Sequence, residues 1–530
     1  MPQSAPTIGS ANTVVADPPV ARPAATPCRV QLFTNLQFAD FSSKAFAYAP
    51  PAQCPGPWRK VVLEADFSVE AGRQFDRTAT LWIGGVNVYF GTTAEPSHLV
   101  GRSWHVERDL SEYTALLALP AAGRADLGNL VNSTYTSSLW GSADLAFYPD
   151  DESEHRAGST ADLVLPMSAS PTGGTVALSD PTAVLAQTFT LPTNVEAAWL
   201  DVVLQSQGAN DEFWYACVPN DVANALLSCI GTGFREGEVR IDDQSAGVVP
   251  IYPWIYTGGI DPLLWRPIPG VQALNFVPYR VDLTPFAGVL SDGQPHRIAI
   301  NVINDSQYFS TTATLLVFLD HESRQVTGAV TRNTIGQAAP AVQENLVTAT
   351  DGTITGTVAA TSSRSFVLEG FVRTSHGEVR TTVEQTLDFS NNQSFVVPQI
   401  AANYVQNITQ KTNIVSKTRV SADGRESTVT TRMSWPLEVD ITAPPDGSFQ
   451  TTVSQSYERE DAIAHGDDIV YSSTVSNHVA PHDNYPSGQG QANSQQYFST
   501  DSTGACYSRS ITAAAGVLTQ IVDGALCRDR

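Results

Sequence analysis

The segment WRKVVLEADFSVE (58–70) alternates apolar and polar side chains, the period of a strand with one buried face. RTATLWIGGVNVYFG (77–91) predicts two strands turning about Gly84-Gly85, a dipeptide suited to a tight hairpin. SADLAFYP (142–149) and ADLVLPM (161–167) read as further short strands, with turn residues recurring between them. That spacing predicts a sandwich or jelly roll. SASPTGGT (168–175) is a linker by composition. A second β unit follows in EAAWLDVVLQSQ (196–207), EVRIDDQSAGVVPI (238–251) and HRIAINVIN (296–304). PNDVANALLSC (219–229) carries apolar residues at helical spacing, with Asp221 placed to cap it. TGAVTRNTIGQAAPAVQ (327–343) marks a third boundary. Beyond it, segments such as SRSFVLEGFVRTSHGEVRTTVEQTLDFS (363–390) and TVTTRMSWPLEVDIT (428–442) alternate over long stretches, as polar-faced antiparallel strands do. No short repeat of fixed period occurs, which disfavours a solenoid or propeller. The chain therefore reads as all-β. It has a flexible N-terminal tail over 1–27, a first domain over 28–172, a second over 173–335 and a β-rich C-terminal domain over 336–530.

Composition narrows the surroundings. Of 530 residues, 42% are hydrophobic and 16% charged, apolar enough to bury real cores and too apolar for a disordered chain. The length calls for several domains. The formal charge of −23 repels phosphate backbones and argues against nucleic acid as a partner. Lys44, Lys60, Lys411 and Lys417 are the only lysines, so nearly all cations are guanidiniums. No apolar run is long enough to span a membrane. Six cysteines admit many connectivities. Pairing neighbours along the chain, Cys28 with Cys54, Cys217 with Cys229 and Cys506 with Cys527, is the simplest. Structural disulfides would place the protein in an oxidising compartment, secreted or periplasmic. The spacing matches no CxxC zinc motif, and His98, His105 and His155 have no spacing that demands a metal.

Candidate chemistry gathers in four stretches. In GRQFDR (72–77), Asp76 stands between Arg73 and Arg77, which should favour its ionised form; a structural Asp–Arg pair at a turn would look the same. In TTAEPSHLVGRSWHVERDL (92–110), Glu95, Trp104 and Glu107 combine carboxylates with an indole face that could stack on a sugar ring. In NDEFWY (210–215), Asp211 and Glu212 run into three aromatics. If the chain is extended there, the two acids point to opposite faces and one alone enters a cleft. Desolvation by the aromatics would raise that acid's pKa and suit it to general-acid work. The Gly/Pro-rich stretch 250–286 carries Trp254, Tyr256, Trp265 and Arg266, a composition typical of ligand loops on a rigid scaffold.

GRQFDRTATLWIGGVNVYFGTTAEP, WHVERDLSEYTALL, DEFWY and YTGGIDPLLWRPIPG…LTPF resemble, in this order, the peptide N-glycanase A family. The resemblance runs from Cys28 to about Leu319 and continues more weakly beyond. It implies an amidase that hydrolyses the bond between a glycan-bearing asparagine side chain and the first N-acetylglucosamine. Such an enzyme releases the glycan as a glycosylamine, leaves aspartate, works at acid pH and tolerates core α1,3-fucose. It implies N-glycoproteins and glycopeptides as partners, a monomer, no cofactor and no metal. The more distant flavobacterial N-glycanase implies two adjacent jelly rolls with essential acids at their interface. Asp76 and Glu212 match two of these acids, and Glu107, in competition with Glu95, a third. Arg73, Glu95, Trp104, Asp211, Trp214, Trp265 and Arg266 are then candidate substrate contacts. Relatives carry a His-containing Gly-rich turn before EFWY where this chain has GAN. An endo-glycosidase using the same acids and a non-catalytic carbohydrate-binding or adhesion protein are the alternatives.

Overall fold

The computed structural model describes residues 6–150, 160–399, 402–488 and 490–527; His155 and residues 1–5 of the expected tail lie outside them. The first unit is a sandwich of two four-stranded antiparallel sheets. Its strands are β1 (Cys28–Phe38), β2 (Lys44–Tyr48), β3 (Trp58–Val69), β4 (Thr78–Ile83), β5 (Val86–Thr92), β6 (Arg102–Asp109), β7 (Ala121–Leu127) and β8 (Leu139–Pro149). One sheet runs β1-β8-β3-β6 and the other β2-β7-β4-β5. Apolar residues of the inner faces, among them Leu63, Phe67, Leu81, Tyr89 and Trp104, form one core. Gly84 and Gly85 both take positive φ between β4 and β5, as the hairpin requires.

The second unit contains β9 (Leu163–Pro166), β10 (Val176–Leu178), β11 (Leu185–Thr190), β12 (Val195–Gln207), β13 (Glu236–Ile241), β14 (Gln244–Pro250), β15 (Tyr279–Asp282), β16 (Pro295–Ile303) and β17 (Tyr308–Leu319). They form a sheet β10-β17-β12-β15, with β9 on β17, and a sheet β11-β16-β13-β14. Since β9 pairs with β17, the sandwich boundary falls before residue 163 rather than at 172. The expected single strand 238–251 is two strands. Asp242 takes φ +52° at the turn, and its carboxylate accepts the Arg297 N–H of the neighbouring strand β16 at 2.9 Å. The helix covers Asn220–Leu226. Pro219 stands at its N-cap and Asp221 makes no side-chain cap, correcting the expected capping role.

The remaining strands make one twelve-stranded antiparallel sheet that begins at Thr327, before the expected boundary. Its longest members are Ile354–Thr374, Gly377–Val397, Tyr404–Ala422 and Arg425–Ala443, and Asp423 and Gly424, both at positive φ, turn the last pair. Alternate side chains of one face, including Phe366, Leu387, Ile414, Leu437 and Val453, join the second sandwich in a single core. That face also carries carboxamides that donate to loop carbonyls of the sandwich. Asn391 reaches Tyr215 O at 2.7 Å, Gln393 reaches Cys217 O at 2.9 Å and Gln455 reaches Pro253 O at 2.7 Å. Main chains meet directly where Gly288 touches Gly328, Gly328 touches Phe371 and Gly370 touches Pro285, with no room for a Cβ at any of the three.

Two sequence expectations change here. The described part of the N-terminal tail is held down. Ala16 is fully buried and its N–H donates to Gln495, Val14 N–H donates to Pro267 O at 3.1 Å, and Gly9 N–H donates to Leu518 O at 2.7 Å. Disulfides join Cys217 to Cys229 and Cys506 to Cys527, while Cys28 and Cys54 are neighbouring free thiols and not the third bridge expected. Burial and the adjoining Cys28 push the Cys54 thiol up to about 11.

Candidate active site

A polar cavity of about 840 Å³ opens where the two sandwiches meet. Asp76, Arg77 and Thr78 line it from the entry to β4. Gln205 and Gln207 come from the end of β12, with Glu212, Tyr256 and Tyr308 from the loops and strands beside it. The carboxamides of Gln205 and Gln207 donate to Thr78 Oγ1 at 3.0 and 2.8 Å, and Tyr308 OH donates to Gln207 Oε1 at 2.5 Å. This network ties the sandwiches together beneath the acids.

The loop after β14 crosses to the first sandwich and fixes the acids' surroundings. Thr257 Oγ1 donates to Thr93 O at 2.7 Å, Tyr89 OH to Leu274 O at 2.7 Å and Phe276 N–H to Phe90 O at 2.8 Å. Gly258 thereby lies against two carboxylates at once: a Cβ there would stand 2.5 Å from both Asp76 Oδ1 and Glu95 Oε2. Asp76 accepts the Gly258 N–H, and Glu95 accepts the Asp76 N–H. Arg266 Nη2 faces Glu95 Oε1 at 3.4 Å and donates to Pro96 O at 2.8 Å.

Three acids thus share one neighbourhood with two guanidiniums, those of Arg77 and Arg266. Burial raises the Asp76 carboxyl, against the Gly258 N–H and the charge of Arg77. The lowering expected from two flanking arginines is overturned because desolvation outweighs it: Arg77 is itself partly buried, with its side chain on Gln74 Oε1 at 2.8 Å, and Arg73 lies over the Tyr135 ring. Burial, then the charge of Asp76, push Glu95 up to about 8 against Arg266, and the same two causes push Glu212 up to about 7. Among the described residues no hydrogen bond to the Glu212 carboxyl is found, which leaves it available to a ligand. Glu95 and Glu212 therefore keep their protons up to about neutral pH, beside the charge of Asp76.

The other expected site residues fall elsewhere. Glu107 is corrected as a catalytic candidate. On β6, Trp104 and Val106 face the core, so Glu107 faces outward beneath the tail, where it accepts the Val20 N–H at 2.7 Å, Arg22 at 2.6 Å and His105 at 3.1 Å. Burial alone would raise its carboxyl; these partners hold it at about 2. Trp104 stacks on Phe67 in the core, Trp214 packs near Phe389, and Trp265 is buried with its indole N–H on Gly259 O, so none offers a free face to a sugar. The 250–286 stretch is an aromatic plug packed inward, with Trp254 against Phe276. Asp211 is fully buried on Arg235 at 3.0 Å and caps the N–H groups of Ser306 and Gln307. The segment before it is a helical turn, Gly208–Asp211, rather than extended; even so, the two acids part, and Glu212 alone lines the cavity. Arg73 is exposed beside Tyr135, outside the cavity lining. Gly258, Gln205, Gln207 and Tyr308 were not singled out. Gly258 sits inside the YTGG motif, and the Gln pair alternates along the polar end of β12.

These raised carboxyls make stability depend on pH. Asp305 is buried, among the described residues no donor reaches either of its oxygens, and burial, then the charge of Asp211, push it up to about 7. A group whose folded pKa is raised contributes stability below its unfolded pKa and loses it as pH rises through the folded value. Ionising such a carboxyl against its surroundings costs on the order of 4 kcal/mol. The melting temperature should therefore fall between pH 5 and pH 8.5, and Asp305→Asn should flatten that fall; an unchanged slope in differential scanning fluorimetry would remove Asp305 as a cause.

Residues 18–335 match the family model described as peptide N-acetyl-beta-D-glucosaminyl asparaginase amidase A. The peptide-N4-(N-acetyl-beta-glucosaminyl)asparagine amidase A of Prunus dulcis is 34% identical over 395 residues, which cover 71% of this chain and 68% of that protein. Among solved structures, PNGase F, a glycosylasparaginase from Flavobacterium meningosepticum, aligns with a TM-score of 0.36 at 13% identity, over 55% of this chain and 96% of its own. PNGF-II aligns with a TM-score of 0.37 at 13% identity, over 56% and 66%. The sequence match spans both sandwiches, including Asp76, Glu95, Glu212 and Gly258, and on it the chain belongs to the peptide N-acetyl-β-D-glucosaminyl asparaginase amidase A family of hydrolases.

Proposed function

We propose that this enzyme hydrolyses the amide bond between a glycan-bearing asparagine and its first N-acetylglucosamine, with N-glycoproteins and glycopeptides as substrates. The observation that carries the reading is the convergence of Asp76 from the first sandwich and Glu212 from the second on one cavity, with Glu95 behind Asp76. Water adds to the side-chain carbonyl carbon, the C–N bond breaks, and the nitrogen leaves with the sugar as a glycosylamine. Leaving requires a proton on that nitrogen. Glu212, raised to about 7, holds one under acid conditions and has no competing protein donor among the described residues. Asp76, anchored by the Gly258 N–H, orients the water or the amide. Because Glu95 and Glu212 lose their protons above about 7 to 8, the rate falls on the alkaline side and the enzyme works in acid. Tolerance of a core α1,3-fucose rests on the resemblance to the family. Two disulfides accord with a secreted or periplasmic protein, acting as a monomer.

Incubating a denatured, core-fucosylated glycopeptide in heavy-oxygen water should yield free glycan and a peptide with labelled aspartate in place of the asparagine. A peptide that keeps one N-acetylglucosamine would establish a glycosidase using the same acids, and binding without release would establish a carbohydrate-binding protein.

A further inference from the structure

All but the first strand of the twelve-stranded sheet lies beyond the stretch shared with the family model, yet the sheet touches the active-site loop at several buried points. Asn493 donates to Leu264 O at 3.0 Å and Ile268 O at 2.6 Å, straddling Arg266. Gln491 donates to Arg266 O at 2.7 Å. Asp483, fully buried on strand His482–Tyr485, lies beside Asp261, which is 1% exposed and three residues after Gly258, and among the described residues no donor reaches either Asp483 carboxyl oxygen or Asp261 Oδ2. Two carboxyls can share a hydrogen bond only while one of them is protonated. Arg266 faces this pair, and Glu95 and Tyr485 in turn face Arg266.

We infer that the C-terminal sheet is a working part of the active site, with Asp483, Gln491 and Asn493 as positioning residues that hold the Gly258–Ile268 segment so that Gly258 meets Asp76 and Arg266 meets Glu95. This rests on the amidase reading above. The carbonyls on both sides of Arg266 and its own are fixed from the sheet, so its guanidinium approaches Glu95 from one direction. The acid pair clamps the same segment near Gly258. Asp261 is raised by burial and by Asp483, so the clamp keeps its proton in acid and loses it towards alkaline pH, where two charges would push the segment away from the sheet.

The test uses the full chain with a glycopeptide substrate and four variants. Asn493→Leu and Gln491→Met keep volume and remove the donors; each should lower kcat by about tenfold to a hundredfold with KM little changed. Asp483→Ala should do the same. Asp483→Asn keeps a hydrogen bond to ionised Asp261 without a shared proton. It should fold and keep near wild-type kcat at pH 5, where the folded Asp483→Ala variant loses it, a rescue by the conservative variant that loss of general stability would not produce. If the folded Asn493→Leu, Gln491→Met or Asp483→Ala variants keep wild-type kcat, the inference is overturned. Should the wild-type protein release no glycan, it is the amidase reading that fails.

Discussion

Asp76→Asn should reduce glycan release by roughly 10²–10⁴-fold, the range for removing one acid–base group, while leaving the fold intact. An asparagine oxygen at this position can still accept the Gly258 N–H, so the crossing loop keeps its anchor. The lost charge has a second effect. Asp76 helps to raise both Glu95 and Glu212. Without it both carboxyls titrate lower, and the alkaline limb of whatever activity remains should move to lower pH. The melting temperature should not fall, because a desolvated charge has been removed. Full activity in a folded variant would take Asp76 out of the chemistry. Loss of rate with an unmoved pH limb would mean that the three acids are not coupled.

Gly258→Ala should be nearly as damaging, although it removes no functional group. The new methyl would stand 2.5 Å from an oxygen of each of two carboxylates, well inside contact distance. Neither can withdraw freely. Asp76 is carried on a segment bonded reciprocally to Thr93, through Arg77 N–H to Thr93 Oγ1 and Thr93 N–H to Arg77 O, and Glu95 is faced by Arg266. The loop cannot rise either, since Thr257 is bonded to Thr93 O. Displacing the acids by a fraction of an ångström should cost about a hundredfold in kcat. Gly336→Ala, at a glycine with open space around it, should leave both kcat and melting temperature unchanged and serves as the control.

Legibility of the sequence followed how local each determinant is. Strands β3, β4, β5 and β12 were visible because alternation is a property of consecutive residues, and the β4–β5 turn because Gly84-Gly85 announces it. Asp76 and Glu212 stood out through their motifs. What sequence could not supply was which face a residue presents. Trp104, Trp214 and Trp265 suit a sugar site by composition and are spent on the core, because in a sandwich every other position on a strand turns inward. Glu107 belongs to the outer face of β6, and its partner Arg22 lies in a stretch whose Ala, Pro, Ser and Thr gave no hint of docking. The direction of the Asp76 shift was missed because the arginines beside it in sequence are visible and the burial of the site is not. The role of the Gln and Asn residues of the last sheet was illegible for the same reason: their carbonyl partners lie on average two hundred residues away, as with Asn493 and Leu264 at a separation of 229.

The glycine contacts at Gly288, Gly328 and Gly370 leave no layer of side chains to slide or bend between the second sandwich and the long sheet. Linked units usually swing about a soft seam; here main chain bears on main chain, and there is no hinge. The second sandwich and the long sheet therefore behave as one stiff body, and any widening of the cavity has to come from the first sandwich moving against it rather than from this seam.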